Sequence, residues 1–177
     1  MVLEQTQQPK LKPRAENIGV RPATLKDSDG IARVFLESAE HHSSLDPALY
    51  CVPNFEIVKE RYRTGRQHPS GVEVEGITYV ADSDDGIVGF VDARLDRSTD
   101  AMHREMVFCH VIEIAVHHRF QRCGIGAQLL LAAEQWGRDN GANIALLEFH
   151  SANSQASSFY QRRMGYRVTS ITVVKNL

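Results

Sequence analysis

Gln121, Arg122, Gly124 and Gly126 fall together in the run Gln-Arg-Cys-Gly-Ile-Gly, between an apolar, β-branched stretch at 111–116 and an amphipathic segment that continues to Asn140. The chemistry open to such a turn is anion binding. The first N–H groups of a helix have no acceptor inside the helix, and the helix dipole puts partial positive charge at that same end. A phosphate satisfies both. Glycines let the backbone take positive φ and let a ligand come close to the main chain, while Arg119 and Arg122 add formal charge. Two glycines at a strand-to-helix turn are equally compatible with a plain tight connection in an α/β domain. Two other phosphate motifs are excluded: Gly124-x-Gly126-x-x-Leu129 lacks the third glycine of a dinucleotide fingerprint, and no Gly-x-x-x-x-Gly-Lys-Ser/Thr run occurs.

Such a turn needs a strand before it and a helix after it. Ile125, Leu129, Ala132, Ala133 and Trp136 recur at i, i+4, i+7, i+8 and i+11 as one apolar stripe, Gln128, Glu134, Arg138 and Asp139 take the other faces, and Gly141 is a C-terminal stop. Residues 107–116 form the strand that enters the turn, and 142–150, rich in Ile, Leu and Phe, a strand that returns beside it as in a right-handed crossover. Upstream, 72–81 and 87–95 read as two strands joined by Asp-Ser-Asp-Asp-Gly, whose Asp-Gly pair favours a hairpin. A short first strand at 18–21 precedes Thr24 and Asp27, an N-cap signal for a helix carrying Ile31, Val34, Phe35 and Ala39 inward; 55–63 is a second helical piece. The fold class that follows is α/β (α+β), a mixed sheet with helices on both faces. Residues 1–17, polar and holding Gln5, Gln7, Gln8, Pro9 and Pro13, read as a flexible tail, and 18–177 as a single domain.

At 177 residues, with 42% hydrophobic and 24% charged residues, the chain can bury one substantial core. A formal net charge of -2 indicates no surface for nucleic acid. Cys51, Cys109 and Cys123 make no paired framework, which suits a reducing compartment. No apolar run approaches the roughly 18 residues of a membrane span, and no signal-peptide segment is evident, so a soluble cytoplasmic protein without a membrane partner is expected. The eight histidines show no His-x-x-x-His zinc pattern, and adjacent His117 and His118 should point to different faces. No metal is expected.

Gln121-x-x-Gly124-x-Gly126 after Ile114-Ala115-Val116, followed by Asn153-x-x-Ala156-x-x-Phe159-Tyr160 and then Gly165-Tyr166, resembles the GNAT superfamily of acyl-CoA-dependent N-acetyltransferases over most of the chain. The resemblance implies a mixed, mostly antiparallel central sheet splayed at the cofactor site. It also implies acetyl-CoA as co-substrate, with direct transfer in a ternary complex to a primary amine of a small molecule or a protein N-terminus. Main-chain groups of Ile114, Ala115 and Val116 would bond the pantetheine arm, and the run Gln121, Arg122, Cys123, Gly124, Ile125, Gly126, Ala127 would hold the pyrophosphate. Asn153 is explained as a helix cap and, on the resemblance, also touches the CoA arm.

Acetyl transfer needs a neutral amine, stabilisation of the carbonyl oxygen and a proton for the departing thiolate. An amine with a pKa of about 10.4, or about 8 for an α-amine, is mostly charged at neutral pH, so a base is useful. Glu148, five residues before Asn153, matches the base position of the family branch that acetylates a ribosomal protein's N-terminus; Glu113 is the second candidate. The alternative for either carboxylate is a strand residue paired with an arginine or facing solvent. Helical spacing places Tyr160 in a stripe with Ala156, Phe159 and Met164, a core aromatic, whereas the resemblance sets it beside the CoA sulfur as general acid. The stretch 41–71, with His41, His42, Asp46 and Tyr50, would cover the acceptor.

The family pattern is departed from after Gly165-Tyr166, where only 167–177 follow, with no Gly or Pro in 166–177. Either a very short hairpin forms around Thr169 and Ser170, or one strand extends to a partner chain as a homodimer. From other function classes, a catalytically silent acyl-CoA-binding sensor competes with the enzyme reading, while a nucleotide-binding domain is disfavoured by the missing phosphate-loop lysine.

Overall fold

The computed structural model describes residues 17–64, 75–98 and 104–175, so most of the expected tail, the start of the second strand at 72–74 and the end of the 41–71 stretch lie outside the described residues. In chain order come β1 (Gly19–Pro22), a 3-10 turn (Leu25–Asp27), α1 (Ser28–Leu45), α2 (Phe55–Arg63), β2 (Gly76–Ser83), β3 (Gly86–Arg97) and β4 (Val107–Val116). A second 3-10 turn (His118–Phe120) leads to α3 (Ile125–Asp139), β5 (Ile144–Leu147), and α4 (Ser154–Ser158), which runs on as a π turn (Phe159–Arg163). The strands form one sheet in the order β1-β2-β3-β4-β5, antiparallel except for the parallel β4/β5 pair. This is the mixed, mostly antiparallel sheet expected.

Local chemistry fixes the elements. Thr24 and Asp27 make the capping box, and the Asp27 carboxylate, almost fully buried, is held by Arg21 at 2.8 Å, which also reaches Asp82 at 2.6 Å. Gly86, at φ +93, closes the hairpin between β2 and β3. On one face α1 and α2 bury Ile31 and Val34, with Phe35 and Tyr62, against Val80, Phe90 and Ala115. On the other, α3 buries Ile125, Leu129, Leu130 and Ala133 against Val91, Ala93, Cys109 and Val111. The α3 stripe is turned slightly from the expected one, with Leu130 and Gly137 fully buried and Ala132 and Trp136 partly so. A side chain at Gly137 has no room: its Cβ would lie 2.4 Å from that of Cys109. Close helix–sheet contact there outweighs the roughly 1 kcal/mol of helix propensity that glycine gives up.

One irregularity aims the functional strand. The β3–β4 register pairs Asp92 with Glu113 but Ala93 with Val111, leaving Ile112 as an extra residue. The bulge reverses side-chain parity. Before it, Cys109 and Val111 point towards α3; after it, Ala115 joins the α1 side while Ile114 and Val116 pack on the α3 side. Glu113 is carried with Ala115 to the α1 side, where Ser38, His42 and Arg61 are its electrostatic neighbours. Unbroken alternation would have driven this carboxylate into the α3 core.

The same point ends the last ladder. β4 and β5 pair only from Phe108 with Ile144 to Val111 with Leu147, after which β4 continues to Val116 paired with β3 alone, its other edge open. The strand expected over 142–150 is therefore four residues long, because the bulge turns β4 away, and Glu148 and His150 leave the sheet. Beyond Tyr166, residues 167–175 hold no strand or hairpin, and Val168, Ile171, Val173 and Val174 stay largely exposed. Thr169 and Ser170 supply no turn. Among the described residues no helix is long and apolar enough to cross a membrane.

Candidate active site

Where β4 and β5 part, a cleft of about 2670 Å³ opens, lined by the free run of β4, the turn at 121–127, α4 with its π turn, and the end of α1 with the loop that follows. Typical small-ligand pockets hold roughly 300–1,000 Å³, so this shape suits an extended ligand.

The turn leaves its amides free at the start of a helix. Arg122 takes φ +63 and Gly124, the N-cap of α3, takes φ +88, while Ala127 and Gln128 N–H groups donate to the Gly124 carbonyl at 3.1 Å. The N–H groups from Arg122 to Gly126 have no backbone acceptor among the described residues. They sit at the positive end of a fifteen-residue helix. Gln121 ties the turn to the strand, its side-chain amide donating to the Val116 carbonyl at 3.0 Å. Ile114, Ala115, Val116, Gln121, Arg122, Gly124, Gly126, Ala127 and Asn153 all border the cleft. Ile125 has its side chain in the core and can offer only its backbone, and Cys123, partly buried, turns its thiol towards the Gln121 carbonyl at 3.7 Å. Arg119 stacks on Phe120 and does not border the cleft. The second cation is Arg163 instead, whose Nη2 lies 3.9 Å from where a Cβ on Gly124 would be. The sequence signal for it was the adjacent Arg162-Arg163 pair, brought back by the π turn.

Asn153 caps α4, its Oδ1 accepting from the Ala156 N–H at 2.9 Å. The π turn that follows, closed by the Met164 N–H on the Phe159 carbonyl, sets the Tyr160 ring among Phe149, Phe159 and Tyr166, with centroids 5.1 to 6.1 Å away. Tyr160 belongs to the core and also borders the cleft. Burial first, and the negative charge of Glu113 second, push its hydroxyl up to about 12. Burial likewise raises the Glu113 carboxyl, opposed by His42, by Arg61 and by a hydrogen bond from Ser38. Glu113 and Tyr160 both border the cleft, and the Glu113 charge is felt at the Tyr160 hydroxyl. Glu148 lies apart from them, exposed at the rim just beyond β5.

At the α1 end of the cleft, rings form a chain from His42 to Tyr50 (5.4 Å) to His150 (5.9 Å), and His150 Nε2 approaches Asp46 at 3.7 Å. These are the residues expected over the acceptor, with His150 added by the early end of β5; His41 contacts His42 edge-on. His117 and His118 do not diverge: their rings stack at 4.5 Å.

The model of the acetyltransferase (GNAT) family matches residues 30–166. No curated protein matches the sequence. Among solved structures, the tetramutant of the BH1408 protein from Bacillus halodurans is similar at 18% identity and a TM-score of 0.77, over 89% of this chain and 99% of that one. A structure from Clostridium difficile 630, described as a possible acetyltransferase, gives 16% identity and a TM-score of 0.67 over 92% and 99%. The aminoglycoside N-acetyltransferase AAC(6')-Iy, in complex with CoA, gives 18% identity and a TM-score of 0.62 over 94% and 99%. At these identities the likeness is one of fold.

Proposed function

This chain belongs to the acetyltransferase (GNAT) family, and we propose that it transfers the acetyl group of acetyl-CoA directly to a primary amine bound between α1 and the end of β5. The observation that carries this reading is the joint placement of three features at one parting of strands: unpaired amides at the start of α3, the open edge of β4, and Glu113 and Tyr160 on the lining of the same cleft. The amides of Arg122 to Gly126, with the guanidinium groups of Arg122 and Arg163, take the pyrophosphate. The edge of Ile114 to Val116 takes the pantetheine arm as a strand would, directing the thioester towards Glu113 and Tyr160.

Glu113 is the base in this reading. Burial raises its carboxyl above the ordinary range, closer to the proton it must remove, and the bulge faces it towards the α1 side. It takes a proton from the ammonium, directly or through water. The amine then attacks the thioester carbonyl, and the C–N bond forms as the C–S bond breaks. Tyr160, kept protonated by its surroundings, donates to the departing sulfur and is reprotonated by the proton that the new amide nitrogen sheds; the proton on Glu113 passes to solvent. Glu148 at the rim is better placed to meet a cationic acceptor than to remove its proton.

A small, cationic amine fits the acceptor end, where Asp46, Glu113 and Glu148 supply negative charge and Tyr50 and His150 supply ring faces. The fold's likeness to aminoglycoside N-acetyltransferases points the same way. The test is thiol release from acetyl-CoA across a panel of aminoglycosides, polyamines, amino acids and peptides. Release with one amine class, lost in Glu113→Gln and retained in Glu148→Gln, supports the reading. Saturable acetyl-CoA binding with no release on any amine would replace the enzyme by a silent acyl-CoA sensor.

A further inference from the structure

At the edge of the cleft, where Glu37 and His118 line it, one group of side chains has a ligand geometry that acetyl transfer does not use. Glu37, on α1, meets His117 and His118, which link the end of β4 to the anion-binding turn. Glu37 Oε1 lies 2.7 Å from His118 Nδ1, and Oε2 lies 3.7 Å from His117 Nε2. One donor atom from each of the three residues falls within 4.8 Å of the others.

We propose that Glu37, His117 and His118 bind one first-row divalent cation of the zinc class, clamping α1 to the turn that leads into the anion site. The donor set is two imidazoles and a carboxylate, which suits zinc and its transition-metal neighbours and not magnesium or calcium. Ligand atoms at about 2.0–2.1 Å from a shared tetrahedral ion stand about 3.3 Å apart, so the Glu37–His118 pair opens slightly from 2.7 Å while the wider separations close by about an ångström. Stacked imidazoles offer different nitrogens, Nε2 of His117 and Nδ1 of His118, to the same carboxylate. The carboxylate is already oriented from behind, because the His118 backbone N–H donates to Oε1 at 2.7 Å. Two hydrogen bonds are given up: the short one between His118 Nδ1 and Glu37 Oε1, replaced by metal–ligand bonds, and the long one in which His117 Nδ1 accepts from the Arg119 N–H at 3.3 Å, because Nδ1 must carry the ring proton once Nε2 is a ligand. His118 is 69% exposed, leaving the fourth position open to water and the ion a route in.

Nothing here depends on acetyl transfer, so the test uses the metal alone. The full chain, freed of metal with a chelator, is titrated with Zn²⁺ against a colorimetric chelator, and with Co²⁺ for its visible spectrum. One equivalent should bind, and the thermal midpoint should rise by about 5–10 °C at a hundredfold excess over Kd. His118→Ala, exposed enough to leave the metal-free midpoint nearly unchanged, should weaken binding by more than the roughly 10–100-fold typical of an outer-shell change, and Glu37→Gln should abolish the Co²⁺ spectrum. Absence of one-equivalent binding overturns the proposal. So does binding untouched by both variants, or lost instead in His150→Ala, which would put the ion at the Asp46–His150 pair.

Discussion

Alanine at Gly124 and alanine at Gly126 should have opposite effects on stability and a shared effect on ligand binding. Gly124 has φ +88 and ψ -8, and a Cβ there meets nothing closer than Arg163 Nη2 at 3.9 Å, so the penalty is conformational only. For a non-glycine residue in the left-handed region it is about 1–2 kcal/mol. In a chain of this length each kcal/mol shifts the midpoint by about 2–4 °C, giving a fall of about 2–8 °C. Gly126 lies in the first turn of α3, and its Cβ would touch Phe159 at 3.6 Å and Val116 at 3.8 Å, both ordinary contacts. Alanine there gains up to about 1 kcal/mol of helix propensity, so stability holds or rises. That methyl also stands between β4 and the π turn, where the ligand would approach the main chain. Acetyl-CoA affinity should drop tenfold or more, about 1.4 kcal/mol, in both variants: in one through a reoriented amide, in the other through obstruction. Denaturation midpoints and calorimetric titration read the two effects separately. Wild-type affinity in Gly126→Ala would refute close approach of the ligand, and undiminished stability in Gly124→Ala would refute the backbone argument.

Glu113→Gln should lower kcat by roughly 10²–10⁴-fold, the usual contribution of a positioned base, with Glu148→Gln changing it little; the wild-type rate should fall as pH drops through a value above the ordinary glutamate pKa of about 4.3. The raised carboxyl makes a stability contribution that is complete below the unfolded pKa and lost as pH rises through the folded one, so Glu113→Gln should gain on the wild type near neutrality and lose that gain in acid. Tyr160→Phe should slow transfer while leaving acetyl-CoA binding nearly intact. It should also remove an alkaline loss of about 2–3 kcal/mol between pH 10 and 12, the window set by a hydroxyl raised to about 12. Arg21 holds the Asp27 carboxyl far below its usual range, a contribution present above about pH 4 and lost as pH falls through the folded value; Arg21→Gln should move acid unfolding to higher pH.

Local pattern made much of this fold legible. The strand at 107–116 and the helix at 55–63 match β4 and α2 in full, because a β-branched run and a capped amphipathic piece carry their own signals. The turn at 121–126 was readable because its glycine and arginine positions report backbone conformation and charge. Ile112 was not readable as a bulge: in Val-Ile-Glu-Ile-Ala-Val every residue suits a strand, and the slip is decided by pairing with β3. That single slip determines which side Glu113 faces, where β5 stops and why Glu148 lies at the rim. Arg163 and the stacked His117 and His118 were hidden for a related reason. Their neighbours, Gly124 and Glu37, are distant in sequence and meet them only through tertiary packing.

The most direct test is a calorimetric titration of the purified chain with acetyl-CoA, set beside S-acetyl-pantetheine, which keeps the thioester and arm but lacks the pyrophosphate. One saturable site for acetyl-CoA, at least tenfold tighter than for the fragment, is the result expected if the α3 amides and the Arg122 and Arg163 guanidiniums hold the phosphates. Equal affinities, or no binding of either, would contradict the assignment of that turn as the anion site and, with it, the placement of the thioester at Glu113 and Tyr160.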